Sequence, residues 1–85
     1  MEPVPIGRKI AHTRAQQYRT GTGVAEAAEI SAETLSRIEH GKVSPRLATV
    51  GKIARALDLS LEELIEGTDL AEDSIPKAWA PKVSA

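Results

Sequence analysis

A chain of 85 residues, 41% of them hydrophobic and 27% charged, has room for one small folded core, and its length excludes a two-domain enzyme. It has no cysteine for a disulfide, a thiol nucleophile or a metal site, no apolar run of membrane length and no signal-peptide pattern, so we expect a cytoplasmic protein. Residues 1–57 carry nine basic and five acidic side chains, whereas residues 58–85 carry two basic and seven acidic ones. This asymmetry is typical of a protein that binds a polyanion, and surface charge scattered by chance explains it equally well.

The hydrophobic spacing predicts five short helices and no strand. The first helix is expected over residues 6–17, with its aliphatic side chains on one face. Residues 20–23 read Thr-Gly-Thr-Gly, which is typical of a turn, and either threonine can cap the second helix, expected over residues 24–29.

The third helix is expected from residue 32 to residue 39 or 40, with Ser31 as its N-cap. Leu35 and Ile38 give this helix an inward stripe, and Gly41 ends it. Side chains on the opposite face of this helix are therefore expected to be exposed.

Ser44 and Pro45 predict the start of a fourth helix over residues 45–57, with apolar residues at the spacing of a buried stripe. Ser60 and Glu63 form a capping box that opens a fifth helix, which ends at Gly67. Residues 68–85 mix acids, alanines and prolines with one tryptophan, and we expect them to form a tail.

Two short helices joined at residues 29–31 have the geometry of a helix-turn-helix, whose second helix enters the major groove of DNA. Ordinary packing of helices produces the same spacing, so periodicity alone leaves both interpretations open.

The residues within this unit are more specific. The stretch Thr34-Leu35-Ser36-Arg37-Ile38-Glu39-x-Gly41-Lys42 resembles the helix-turn-helix of the Cro and lambda-repressor-like (XRE) family. The similarity begins at Ile6-Gly7-Arg8, continues through Ile53-Ala54-x-Ala56-Leu57 and Leu59-Ser60-Leu61-x-x-Leu64, and covers about residues 6–67. It implies an all-α, five-helix DNA-binding domain, flanked by an N-terminal extension over residues 1–5 and a tail over residues 68–85 for dimerisation or partner binding.

The resemblance makes residues 32–39 the recognition helix. It implies base contacts from Ala32, Glu33, Ser36 and Arg37, and phosphate contacts from Thr20, Gly21, Thr22, His40 and Lys42. The guanidinium of Arg37 can present a planar fork to guanine, and Glu33 can accept from cytosine. A surface ion pair between Glu33 and Arg37 is the alternative.

Arg14 and Glu39 match an ion pair that the family often forms, and we interpret them as structural. The chain departs from the family pattern near the second helix. Gly21 stands where a glutamine usually contacts phosphate, and Tyr18 and Glu29 stand where glycine is common.

The resemblance implies a homodimeric regulator, and we expect a repressor of a palindromic operator in double-stranded DNA, without cofactor or metal. The expected dimerisation residues are Leu61, Leu64, Ile65, Ile75 and Trp79. An enzyme is disfavoured, because His12 and His40 have neither a cysteine nor a ligand spacing between them. The alternative function is an antitoxin whose tail binds a toxin protein through Trp79, although packing of that side chain on its own domain or on the second subunit is the favoured interpretation.

Overall fold

In a computed structural model, which describes residues 3–70, the chain folds into five α-helices. These are α1 (Ile6–Gln16), α2 (Gly21–Ala27), α3 (Ala32–Glu39), α4 (Leu47–Ala56) and α5 (Leu61–Ile65). Within residues 3–70 there is no strand beyond an isolated parallel bridge that joins Val4 to Thr68. The all-α, five-helix prediction is therefore confirmed. No helix in this part of the chain is long and apolar enough to cross a membrane.

The core is built from aliphatic side chains that every helix contributes. Helix α3 packs against α1 and α2, and α4 packs against α2 and α5. The largest side chains that are completely enclosed are Ile10, Val24, Leu35, Ile38, Val50, Ile53, Leu57 and Leu64. Burial of these side chains supplies the main free energy that holds such short helices together.

Three of the helices have a residue with a hydroxyl side chain as their N-cap. Ser31 Oγ accepts a hydrogen bond from the Thr34 N–H at 3.0 Å, and Ser60 forms the predicted reciprocal capping box with Glu63. Thr20 Oγ1 accepts from the Gly23 N–H at 2.9 Å. Because Thr20 is the cap, α2 starts three residues earlier than predicted and takes both glycines into its first turn.

Helix α4 starts two residues later than the Ser44-Pro45 pair predicts. Arg46 is the residue before its first turn, with an extended backbone, and no side chain caps this end. Pro45 therefore precedes the helix and does not occupy its first position.

The four longer helices end in the same hydrogen-bond pattern, in which one residue takes a left-handed backbone. That residue is Tyr18, Glu29, Gly41 or Asp58, with φ of 57°, 61°, 73° and 61° respectively. In each case the next residue donates its N–H to a carbonyl five residues back: Arg19 to Arg14, Ile30 to Ala25, Lys42 to Arg37 and Leu59 to Ala54. Three of these four positions carry a side chain where glycine has the lowest conformational cost.

Gly7 allows α1 and α3 to approach each other closely. A Cβ atom at this position would overlap the carbonyl oxygen of Ile38 and would lie 3.1 Å from the Cα of Glu39. Since those atoms belong to the backbone of α3, the helices would have to separate to admit any side chain. The absence of a side chain at Gly7 thus permits the close packing of α1 against α3.

Hydrogen bonds join the two ends of the described chain to each other and to the start of α1. The Val4 N–H donates to the carbonyl of Gly67, and Asp69 Oδ1 accepts from the Ile6 N–H at the start of α1, each at 3.0 Å. Thr68 is buried. The packed domain therefore extends past residue 67 to residue 70, and the rest of the expected tail lies outside the described residues.

Candidate nucleic-acid interface

Helices α2 and α3 are joined by a tight turn over residues 28–31, between the end of α2 at Ala27 and the first residue of α3, Ala32. The left-handed backbone of Glu29 reverses the chain, and Ile30 packs partly against the core. The buried residues of α2, Val24 and Ala25, lie in the same core as the inward stripe of α3. This unit, residues 20–42, has the helix-turn-helix form predicted from the sequence.

The two faces of α3 differ in burial. Leu35 and Ile38 are enclosed by the core, as predicted. The four side chains expected to contact bases all lie on the exposed surface of the helix: Ala32, Glu33, Ser36 and Arg37. A helix that is anchored on one side and polar on the other can enter a groove without disturbing the core.

Glu33 and Arg37 form an ion pair on this exposed face. Arg37 Nη2 donates to Glu33 Oε2 at 3.0 Å, and the two side chains are 57% and 74% exposed respectively. The ion pair considered from the sequence therefore exists in the free protein. It uses one of the five donors of the guanidinium, so most of the fork stays available.

The residues predicted to contact phosphate lie at the two ends of the unit. Thr20 and Thr22 are exposed at the start of α2, and Gly21 between them is half-buried. The hydroxyl oxygen of Thr20 accepts as the helix cap, and its O–H remains available to donate to a phosphate, as do the exposed Thr22 hydroxyl and backbone N–H groups at this end.

His40 and Lys42 are exposed where the chain leaves α3. The Nδ1 of His40 lies 2.8 Å from the carbonyl oxygen of Ser36, and this nitrogen must carry the proton because a carbonyl only accepts. The remaining ring nitrogen can donate to a phosphate only when the ring is doubly protonated. The ammonium of Lys42 has no such restriction.

Arg14 and Glu39 form the predicted structural pair. Two hydrogen bonds of 2.8 and 3.0 Å join them, and the Glu39 side chain is only 8% exposed. With its fork committed to Glu39, Arg14 is a structural residue of the α1–α3 contact.

Several basic side chains of residues 1–57 are committed to contacts that hold the fold together. Lys9 donates to the carbonyls of Glu63 and Glu66 at the end of α5, and Arg19 donates to the Ala56 carbonyl and to Asp58 at the end of α4. These cations, with Arg14, stabilise the fold. Within residues 3–70, the basic side chains that form no ion pair or hydrogen bond are Arg8, Lys42, Arg46, Lys52 and Arg55.

Arg46 is a candidate phosphate ligand that the sequence analysis missed. It is exposed in the same α3–α4 connection as Lys42. The only signal in the sequence is the proximity of the two cations, since Ser44-Pro45 predicts a helix that includes Arg46.

The expected dimerisation surface needs a correction. Leu64 and Ile65 are 0% and 4% exposed, because α5 packs this side against α4 and the core. They are core residues and present no surface to a second subunit. Leu61 is partly exposed, whereas Ile75 and Trp79 lie outside the described residues.

The fold and the exposed face of α3 define a helix-turn-helix DNA-binding domain. The family described as "Helix-turn-helix domain" matches residues 5–66, and the chain belongs to this family. Membership of this family makes the chain a protein of the helix-turn-helix, DNA-binding regulator type.

Solved structures of bacterial regulators are similar over most of the chain. The restriction-modification controller protein C.AhdI from Aeromonas hydrophila is 23% identical, with a TM-score of 0.69 over 72% of this chain and 92% of that one. An HTH_3 family transcriptional regulator from Vibrio cholerae is 27% identical, with a TM-score of 0.69 over 73% of this chain and 35% of that one. A SinR protein/SinI protein complex contains a chain that is 25% identical, with a TM-score of 0.66 over 87% of this chain and 70% of that one. No curated protein matches the sequence.

Proposed function

We propose that this protein is a sequence-specific repressor that binds double-stranded DNA by inserting α3 into the major groove. The observation that carries this proposal is the division of α3, where Leu35 and Ile38 anchor the helix in the core while Arg37 stands exposed among small or polar side chains. A repressor of this type acts by occupying an operator and excluding other proteins from it.

Each exposed side chain of α3 has a role consistent with its chemistry. Arg37 reads guanine through O6 and N7, Ser36 donates to or accepts from a base edge, and Ala32 contacts a thymine methyl group. Phosphate contacts from the ends of the unit set the register of the helix in the groove. The proposed phosphate ligands are the backbone N–H groups and threonine hydroxyls of Thr20, Gly21 and Thr22, together with His40 and Lys42.

We propose a homodimer on a palindromic operator. One recognition helix reads too few base pairs for useful specificity, and two half-sites about one helical turn apart solve this problem. Since Leu64 and Ile65 belong to the core, Leu61 and the tail residues Ile75 and Trp79 are the remaining members of the proposed subunit contact.

The test is a selection of bound duplexes from a randomised DNA pool, followed by affinity measurements on the selected duplex and on a scrambled duplex. Arg37→Ala should lower the ratio of the two affinities by about 5- to 150-fold for each half-site, which is the discrimination of one bidentate contact. The matched variant Leu35→Ala should lower the melting temperature instead, because it opens a cavity under α3. A wild-type ratio in Arg37→Ala would show that α3 does not read the bases.

The oligomeric state is tested separately by sedimentation with and without the selected duplex. A dimer at micromolar concentration, or on DNA, supports the proposal. A monomer under both conditions contradicts it.

A second candidate function is that of an antitoxin, which binds a toxin through its tail and represses its own promoter. Similarity to a chain of the SinR protein/SinI protein complex favours a protein partner, since that chain is part of a complex of two proteins. Purification from the native host distinguishes the two functions. An antitoxin should copurify with a toxin encoded beside it, whereas a simple repressor should purify alone.

A further inference from the structure

Among the exposed cations of residues 3–70, Arg37 is unusual in having an acidic partner within its own helix. Lys42 and Arg46 follow it in the chain and have no such partner in this part of the protein. The carboxylate of Glu33 lies one helical turn before Arg37, on the exposed face of α3, and accepts at 3.0 Å. The ion pair thus singles out the residue proposed to read a base.

Stability does not explain this pair. Both side chains are more than half exposed, and exposed pairs at this spacing contribute little to the free energy of unfolding. On a face that approaches DNA, the Glu33 carboxylate is also repelled by phosphates. Glu33 therefore lowers affinity for every DNA sequence. Its carboxylate favours the helix slightly from the first turn of α3, and a gain in discrimination between sequences would be a second role.

We propose that Glu33 is a positioning and specificity-determining residue for Arg37, and that the pair reads a G·C base pair as a unit. This inference rests on the proposed function of α3. Glu33 restrains the guanidinium through Nη2, so its remaining donors form the fork that guanine O6 and N7 accept. The same carboxylate opposes non-specific docking, in which Arg37 would swing onto a phosphate.

The distribution of charge separates the cations that attract phosphate from the cation that reads a base. The opposite charges of Glu33 and Arg37 cancel on the exposed face of α3, whereas Lys42 and Arg46 in the α3–α4 connection are unpaired within residues 3–70. Sequence-blind attraction to phosphate comes from the unpaired cations. Arg37 is reserved for the base edge.

The test compares Glu33→Gln with the matched control Glu29→Gln in the full-length protein. Glu29 is an exposed carboxylate in the same helix-turn-helix unit with no ion pair to a residue in 3–70. Both changes remove one negative charge per subunit, but only the first removes the partner of Arg37. The probes are the duplex selected by the wild-type protein from the randomised pool and a scrambled duplex of the same composition.

Glu33→Gln should raise affinity for the scrambled duplex by about 5-fold in a dimer, without raising affinity for the selected duplex. The specificity ratio should fall by the same factor, and a repeated selection with this variant should show a weaker guanine preference. In an Arg37→Ala background, Glu33→Gln should change both affinities alike, because no guanidinium remains to be positioned. Glu29→Gln should leave the ratio at its wild-type value.

An unchanged ratio in Glu33→Gln, together with a lost ratio in Arg37→Ala, overturns this inference and leaves the proposed function standing. A wild-type ratio in Arg37→Ala itself overturns both. Circular dichroism melting should place Glu33→Gln within a few degrees of the wild type, because the side chain is mostly exposed.

Discussion

The guanidinium of Arg14 donates two hydrogen bonds to the carboxylate of Glu39, from Nε at 2.8 Å and from Nη2 at 3.0 Å. Its Nη1 donates to the carbonyl of Arg19 at 3.1 Å, so one side chain joins α1, the end of α3 and the turn before α2. The hydrogen bond to Glu39 is the main cause that raises the pKa of Arg14 above its ordinary value. The stabilising charge of Arg14 is therefore present at all pH values below its normal pKa.

Breaking this pair should destabilise the protein. Arg14→Ala leaves the carboxylate of Glu39 nearly buried without its partner, and should lower the free energy of unfolding by about 2–4 kcal/mol, somewhat less than for a fully buried pair. Urea unfolding measures the loss. Arg37→Ala is the control, because its exposed pair should contribute only about 0.2–0.5 kcal/mol. Equal losses in the two variants would contradict the structural role of Arg14.

Gly7→Ala should destabilise the contact between α1 and α3. The added methyl group overlaps the Ile38 carbonyl, and overpacking against backbone typically costs about 1–3 kcal/mol or more. Gly51→Ala in α4 is the matched control, since a Cβ there meets no atom within 4 Å. It should stabilise the protein by up to about 1 kcal/mol through helix propensity. Thermal unfolding that ranks the two variants in the opposite order would exclude this account of Gly7.

Glu29→Gly should stabilise the protein. The left-handed backbone costs a residue with a side chain about 1–2 kcal/mol, and the greater entropy of glycine in the unfolded chain offsets about 0.4–1 kcal/mol of this gain. The net increase should be about 0.5–1 kcal/mol in chemical denaturation. Gly41→Ala makes the reverse change at an equivalent helix end and should destabilise. A destabilised Glu29→Gly would imply that the Glu29 side chain makes a contact that outweighs the strain.

The capping box at α5 should be sensitive to acid. Hydrogen bonds from the backbone and side chain of Ser60 lower the pKa of the Glu63 carboxyl below its ordinary value. Because the folded pKa is the lower one, the contribution of Glu63 to stability is present above its unfolded pKa. It is lost as the pH falls through the folded pKa. A carboxyl titration followed by NMR should show the lowered value in the wild type and a return toward the ordinary value in Ser60→Ala.

Lys42→Ala should weaken binding to all DNA sequences alike. Loss of one phosphate contact per subunit should reduce the slope of log affinity against log salt by about one unit for each half-site. Lys9→Met is the control, because Lys9 is committed to the carbonyls at the end of α5 and should affect melting temperature only. A change of sequence preference in Lys42→Ala, with the salt slope intact, would assign Lys42 to base contact.

Much of the helix-turn-helix unit could be predicted from the sequence because its signals are local. The Ser31 cap, the Leu35 and Ile38 stripe and the Gly41 end lie within one short segment, and each acts through neighbours in the chain. The exposed position of Arg37 follows from the same helical spacing. Family resemblance supplied the partner of Arg14, which periodicity cannot identify across 25 residues.

The errors arose where the sequence offers equivalent alternatives. Thr20 and Thr22 are equally suited by sequence to cap α2. In the structure Thr20 is the cap, so α2 starts three residues earlier than predicted. Helix α5 has only five residues, so its apolar side chains do not show which of them will be enclosed. Contact with α4 and the core encloses Leu64 and Ile65 and leaves Leu61 partly exposed.

The sequence by itself determined the helical periodicity and the caps at Ser31 and Ser60, because each depends on residues within a few positions of one another. It also determined the family to which the chain belongs, because the motifs of that family recur in order over residues 5–66. Only the tertiary structure decided which cations remain available, since Lys9 and Arg19 satisfy carbonyls that lie more than 35 positions away. It also decided the close approach at Gly7, because a missing Cβ acquires meaning only when another backbone occupies its place. Net charge and composition carry no information about such pairings, which depend on the geometry of the packed helices.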